Sequence, residues 1–226
     1  VVKHNLPCYV RSLESSDSGS EGFPSWKVLE KQFALATDVV RFVGDGVAFI
    51  VAETLDAARD AAELIEVDYQ PLPAAIGTKT AMDPGTPEVW PDRPNNVAFV
   101  HQAGDKTTTD AAFEAADHVV TRKLTINRVA ANSMEARAIL AAYDKETEVH
   151  TIYLSAQSAF GMRRIFADVI FGEDQNRFRV ITNDVGGAFG MKNSFYPEYV
   201  LTVWASRQLQ RPVKWIEDRS EAILTD

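Results

Sequence analysis

The chain has 226 residues, 46% of them hydrophobic, and a formal net charge of -9. That is enough apolar material for one large core or two smaller ones, and the acidic balance disfavours a nucleic-acid or anionic-membrane surface, which carries charge of the same sign. A single cysteine, Cys8, excludes an intrachain disulfide, a cysteine-rich zinc site and an iron-sulfur cluster held by this chain alone.

No apolar run approaches the roughly 20 residues that a membrane helix needs, and the start VVKHNLPCYV lacks the layout of a signal peptide. A soluble protein of the reducing cytoplasm is the expectation. The chain starts on Val and stops at SEAILTD without an obvious cap or tail, so it reads as a fragment of a longer polypeptide.

Residues 1–32 read as a poorly ordered or irregular N-terminal segment, because RSLESSDSGSEGFPSWKVLE is rich in Ser, Gly and acidic residues and has little periodicity. Residues 33–76 read as a β-β-α-β region. VVRFVGDGVAFIVAET gives two short β-rich runs around Gly44, Asp45 and Gly46. In TLDAARDAAELIEVDY, Thr54 is placed to cap a helix whose one side carries Leu55, Ala58, Ala62 and Ile65, and Ile65 to Tyr69 can re-enter a strand. Residues 77–98 read as a Pro-rich linker, since PLPAAIGTKTAMDPGTPEVWPDRPNN holds six of the chain's ten prolines.

Residues 99–226 form the second part. TTTDAAFEAADHVV predicts a short helix capped by Thr or Asp and running into a strand, HVVTRKLTI. ARAILAAYD and EVHTIYLSA predict strands on either side of a turn at Asp144 and Lys145. SAFGMRRIFADVIF has helical spacing at Phe160, Ile165 and Val169 and ends near Gly172, and FRVIT is a strand. The last helix is expected to take Ser194 as its cap, with Pro197 and Glu198 in its first turn. It carries Val200, Val203 and Trp204 to a core and stops before Arg211 and Pro212. The fold class is α+β.

Between the FRVIT strand and that helix lies NDVGGAFGMK, with Gly186, Gly187 and Gly190 within five residues. Missing Cβ atoms let main-chain N–H groups approach a bound anionic or oxo group closely, and they serve a tight packing turn equally well. The pattern is neither GxxxxGK[ST], because Asn193 stands where Ser or Thr belongs, nor GxGxxG, so nucleotide binding is the weaker option. His101, His118 and His150 show no metal-triad spacing.

Two further stretches, SMEARAILAAYD and LSAQSAFGMRRIF, precede this turn. Together with VVRFVGDGVAFIVAETLDAARDAAELIEVDYQPLP, they resemble the large subunit of the xanthine dehydrogenase, aldehyde oxidase and aerobic carbon monoxide dehydrogenase family. The likeness covers roughly residues 33 to 226. It implies an α/β hammerhead domain at Val39 to Pro73, followed by the first part of a molybdenum-cofactor-binding domain from about Phe99. By motif position it implies that Gln157 is a catalytic residue whose neutral amide hydrogen-bonds an oxygen ligand of molybdenum, and that Gly187, Phe189 and Gly190 border the metal and its pterin.

The implied activity is oxidative hydroxylation of an aldehyde or N-heterocycle, or oxidation of carbon monoxide, with water as the oxygen source. The implied cofactor is a molybdenum-pterin, commonly the cytosine dinucleotide form. The implied partners are the rest of the large subunit, an FAD-binding medium subunit and a 2Fe-2S small subunit. Asn193 stands where purine oxidisers carry Glu, which argues against a purine, and Met134, Glu135, Ala136 and Arg137 replace the family's MEPR. Glu135 reads as a paired, partly buried carboxylate near a strand. Arg163 and Arg164 read as a solvated face or as phosphate partners. The family's general base lies in a GxGE motif, which is absent here, so this chain alone is expected to be inactive and free of cofactor. The alternative is a noncatalytic binding or scaffolding module in which the glycine turn is a packing joint.

Overall fold

The computed structural model describes residues 7–13, 26–97 and 103–225, with side chains from 33 onward. They fall into two compact units. The first is drawn from Val1–Val10, Glu30–Leu72 and Ala130–Asp226, the second from Arg11–Leu29 and Pro73–Val129.

The first unit is organised by a four-stranded sheet. Strands β3 (Ala138–Asp144), β4 (Val149–Leu154), β5 (Phe178–Ile181) and β6 (Val213–Ile216) lie in the order β5-β4-β3-β6. β3 pairs antiparallel with β4 and with β6, and β4 runs parallel to β5. The register sets Ile139 opposite Leu154 and Trp215, and Ile152 opposite Val180. Because strand side chains alternate, this puts Ile139, Ala141, Ile152, Leu154 and Phe178 on one face. That face is buried against Met162, Phe166, Ala167, Tyr199 and Val203. Each such large apolar side chain contributes about 1.5–3 kcal/mol on burial. The other face carries Leu140, Tyr153, Lys214 and Ile216 around an open hollow of about 220 Å³.

The covering helices are α3 (Ala159–Arg164), continued by a π-helical turn over Ile165–Phe171, and α4 (Pro197–Leu209). Ser158 caps α3 by accepting the Gly161 N–H, and Gly172, in the left-handed region at φ 64°, stops the π segment where the sequence placed the stop. The buried side is Met162, Phe166, Ala167 and Ile170, whereas Phe160 is 84% exposed. The expected face of Phe160, Ile165 and Val169 is therefore out of phase with the buried one, which runs through Met162, Phe166 and Ile170. α4 is buried on most sides: Tyr199, Val200 and Val203 are fully enclosed, and Leu201 meets Ala34, with Leu35 and Phe49 packed alongside. Its N-cap is Tyr196 with no side-chain bond, not Ser194. Pro197 at the first position has no N–H to satisfy, which removes part of the need for a capping side chain.

Thr54 caps α1 (Leu55–Glu63) as expected, accepting the Ala57 N–H at 3.1 Å. The β-rich runs on either side of it, over 40–52 and 65–69, carry no strand pairing among the described residues. Of the expected β-β-α-β region only the helix is regular, because an extended run becomes a strand only when a neighbour pairs its backbone. β1 (Pro7–Leu13) and β2 (Trp26–Phe33) form a two-stranded sheet inside the stretch read from sequence as irregular, of which 14–25 lie outside the described residues.

In the second unit, the Asn96 side chain organises the Pro-rich segment. It accepts the Val89 N–H and donates to the carbonyls of Ala81 and Pro87. α2 (Lys106–Ala115) is capped by Asp105, and the HVVTRKLTI run that follows is extended and exposed without strand pairing among the described residues. His101 lies outside the described residues.

His150 sits fully buried in the first unit. It is stacked on Phe178 at 4.9 Å with an interplanar angle of 9°, and neither ring nitrogen has a hydrogen-bond partner among the described residues. Burial pushes its pKa from 6.5 down to about 4; Arg207 adds to the shift and Glu173 opposes it. The unfolded chain therefore takes up a proton near pH 6.5 that the fold refuses until about pH 4. Stability from this group falls through that window as pH drops, by about 3 kcal/mol in all. Urea midpoints between pH 7 and 4 should show this slope, and His150→Phe should flatten it; an equal slope in the variant would assign the effect to other groups.

Candidate functional site

Three stretches far apart in sequence meet at the glycine turn. The chain leaves β5, runs through Asn183 and Asp184, and turns at Gly186 to Gly190 into a short 3-10 turn, Met191–Asn193, before α4 begins. Two of the turn's residues need a left-handed backbone that glycine adopts without strain: Gly187 at φ 96° and Gly190 at φ 100°. Gly186 is glycine for a different reason. A Cβ there would stand 2.6 Å from the Glu135 Cβ, closer than carbon atoms approach. Phe189 holds a left-handed φ of 49° and is 77% exposed, a backbone conformation that costs a bulky residue free energy.

Gln157 follows the end of β4 and is brought to this turn by its backbone N–H, which donates to the Lys192 carbonyl at 3.1 Å. Its side chain is exposed. Gly187, Phe189 and Gly190 precede Lys192 in the same turn, so that one backbone bond joins the Gln157 main chain to the turn's exit. Around Gly190 the space where a side chain would stand is open: apart from its chain neighbours, none of the described residues comes within 4 Å. The arrangement is a bare-backbone ledge flanked by an exposed phenyl ring and a primary amide. It can receive a planar or polar group against main-chain atoms, with the amide available to donate a hydrogen bond.

The third stretch contributes Glu135. Its Oε2 accepts from the Gly186 N–H at 2.8 Å, the Lys192 Nζ at 2.9 Å and the Ser155 Oγ at 3.0 Å. Burial alone pushes this carboxyl up, but the hydrogen bonds from Lys192, Gly186 and Ser155 together hold it below the usual carboxylate range. The expectation of a paired, partly buried carboxylate holds, yet sequence reading named neither Lys192 nor Ser155 as partners. The available signal was an acidic residue, Glu135, in SMEAR and a basic one, Lys192, in FGMK. Arg163 is committed elsewhere, donating to the Gln175 carbonyl and to Asn176, while Arg164 is exposed. Among the described residues no three His, Cys, Asp or Glu side chains cluster as a metal site.

Comparisons with known proteins fit this geometry. A family model for the molybdopterin cofactor-binding domain matches residues 89–226, and one for the a/b hammerhead domain of aldehyde oxidase and xanthine dehydrogenase matches residues 4–73. The nicotine 6-hydroxylase large subunit of Paenarthrobacter nicotinovorans is 38% identical over 84% of this chain and 23% of its own length. The carbon monoxide dehydrogenase large chain of Afipia carboxidovorans is 36% identical over 86% of this chain and 25% of its own length. Among solved structures, quinoline 2-oxidoreductase from Pseudomonas putida superposes with a TM-score of 0.76 at 32% identity, covering 96% of this chain and 26% of that one. The chain thus spans about a quarter of the length of the relatives it matches.

Proposed function

The chain belongs to the molybdopterin-binding large-subunit family of the aldehyde oxidases, xanthine dehydrogenases and carbon monoxide dehydrogenases, and from that premise we propose that it forms the cofactor-facing ledge of a molybdenum hydroxylase. The reaction is oxidative hydroxylation of an aldehyde or N-heterocycle, or oxidation of carbon monoxide, with water as oxygen source. The observation that carries this reading is the turn itself: open space at Gly190, an exposed Phe189 in a strained backbone, and Gln157 tied to the same turn. These residues fit a flat, polar cofactor, because a Cβ at Gly190 would fill the space that such a group occupies.

In this reading the Gly187 and Gly190 backbone and the Phe189 ring border the pterin and its metal, and the Gln157 amide donates to a polar atom of the group without adding charge. The molybdenum-pterin, in its cytosine dinucleotide form, supplies the two-electron redox chemistry when bound. Electrons leave through FAD-binding and 2Fe-2S partner subunits. With no GxGE stretch in its 226 residues, the chain by itself does not turn over. No helix among the described residues is long and apolar enough to cross a membrane, and the single cysteine suits a reducing cytoplasm.

The test is metal analysis by mass spectrometry of the native protein, purified with any chains that accompany it. Molybdenum near one atom per chain supports the proposal. A metal-free protein, from cells in which another molybdoenzyme is loaded, favours the noncatalytic module instead. In the loaded protein Gln157→Ala should keep the molybdenum and lower kcat by about 10-fold or more, as loss of a positioned hydrogen bond does; an unchanged kcat would remove Gln157 from the machinery.

A further inference from the structure

Lys192 is wholly buried, yet nothing in the cofactor reading uses its charge. A buried ammonium is costly unless it is paired, and here its partner is the same Glu135 oxygen that accepts the Gly186 N–H and the Ser155 hydroxyl. One carboxylate oxygen therefore touches both ends of the glycine turn and the end of β4. Two backbone bonds complete the junction: Glu135 N–H to the Gly186 carbonyl at 3.0 Å, and Gln157 N–H to the Lys192 carbonyl at 3.1 Å. Between its two ends the turn is held by short-range backbone bonds, Gly187 N–H to the Val185 carbonyl and Met191 N–H to the Ala188 carbonyl, which fix its local curl and not its distance from β4. Gly186, Gly187 and Gly190 have no side chains, the Phe189 ring is exposed, and glycine backbone is the most mobile kind.

We propose that Glu135 and Lys192 are positioning residues: the ion pair of the buried Lys192 with the half-buried Glu135 sets the distance between the Gln157 amide and the Phe189–Gly190 step, so that one bound cofactor meets both. This inference rests on the reading of the turn as a cofactor ledge. Lys192 fixes the exit of the turn and, through its own carbonyl, the backbone of Gln157. Glu135 fixes the start through Gly186. Removing the pair leaves each piece in place and frees the spacing between them.

The experiment compares Lys192→Met with wild type in the native protein, purified with its accompanying chains. Lys192→Met is chosen because the Glu135 side chain it leaves behind is 39% exposed and can take water, so the fold is retained. Molybdenum per chain after extended dialysis should fall at least fivefold. The Mo(V) electron paramagnetic resonance spectrum of the retained fraction should show shifted g-values, a signature that a loss of stability alone does not move. Wild-type molybdenum content with an unshifted spectrum overturns the pair's role. If Lys192→Met fails to fold, Glu135→Gln decides: it removes the carboxylate charge from the pair while keeping a side-chain oxygen to accept from Gly186 and Ser155, and a shifted spectrum supports the proposal while an unshifted one overturns it. A molybdenum-free wild type overturns the cofactor reading itself and the pair's role with it, whereas a loaded wild type with a loaded, unshifted variant overturns the pair alone.

Discussion

Truncating Glu217 to alanine is expected to destabilise the native protein by about 3–5 kcal/mol, the usual cost of leaving the other half of a buried ion pair without its counter-charge. For a chain of this size that corresponds to a fall in Tm of roughly 10 °C. Glu217 and Arg137 are both enclosed, and their contact is double. The Arg137 guanidinium donates to Glu217 Oε1 and its backbone N–H to Oε2 at 3.2 Å, while the Glu217 N–H returns to the Arg137 carbonyl at 3.0 Å. The pair joins the start of β3 to the end of β6. The guanidinium also lies 3.6 Å from the centre of the Tyr196 ring, whose hydroxyl donates to the Met191 carbonyl at the exit of the glycine turn. Glu198 stands 3.8 Å from the guanidinium, too far to replace the lost hydrogen bonds. Joint replacement, Arg137→Met with Glu217→Leu, should recover most of the loss because the two fully enclosed charges go together, and the carboxyl that remains, Glu198, keeps 21% of its side chain in solvent. Urea unfolding measures both variants, and a loss below about 1 kcal/mol in Glu217→Ala would show that the site hydrates freely.

The second large effect is at Gly186. An alanine methyl there would lie 2.6 Å from the Glu135 Cβ and 3.4 Å from its backbone nitrogen, atoms too close to the main chain to swing aside. The turn must move, and with it go the two hydrogen bonds that Gly186 shares with Glu135. Overpacking of this kind costs about 1–3 kcal/mol, and a 1 Å displacement at a positioned site is worth on the order of 100-fold in rate. Gly186→Ala is therefore expected to stay folded while losing nearly all turnover in the loaded protein. Wild-type kcat in that variant would mean that the turn tolerates displacement and does not position the reacting group.

Local chemistry was legible in the sequence. Thr54 as a cap, Gly172 as a stop, the strands on either side of Asp144 and the bare-backbone turn each depend on residues within a few positions of one another. What escaped depended on distant partners or altered geometry. Glu135 and Gly186 are 51 positions apart, and Arg137 and Glu217 are 80 apart, so no local pattern announces either contact. In the π turn the buried side chains are Phe166 and Ile170, each one position beyond the expected Ile165 and Val169. HVVTRKLTI reads as a strand from its β-propensity, but no strand forms among the described residues, because pairing requires a neighbour that local propensity does not supply.

That last run has a consequence on the timescale of solvent exchange. Residues 117–129 are extended and exposed with no strand pairing among the described residues, so in heavy water their amide protons are replaced at close to the rate of an unstructured peptide. Those bonded within β3 and β4 wait for the sheet to open. A deuterium-uptake map thus steps sharply near Ala138. Any chain that completes the run with a strand of its own declares itself by slowing uptake there, before its sequence or its chemistry is known.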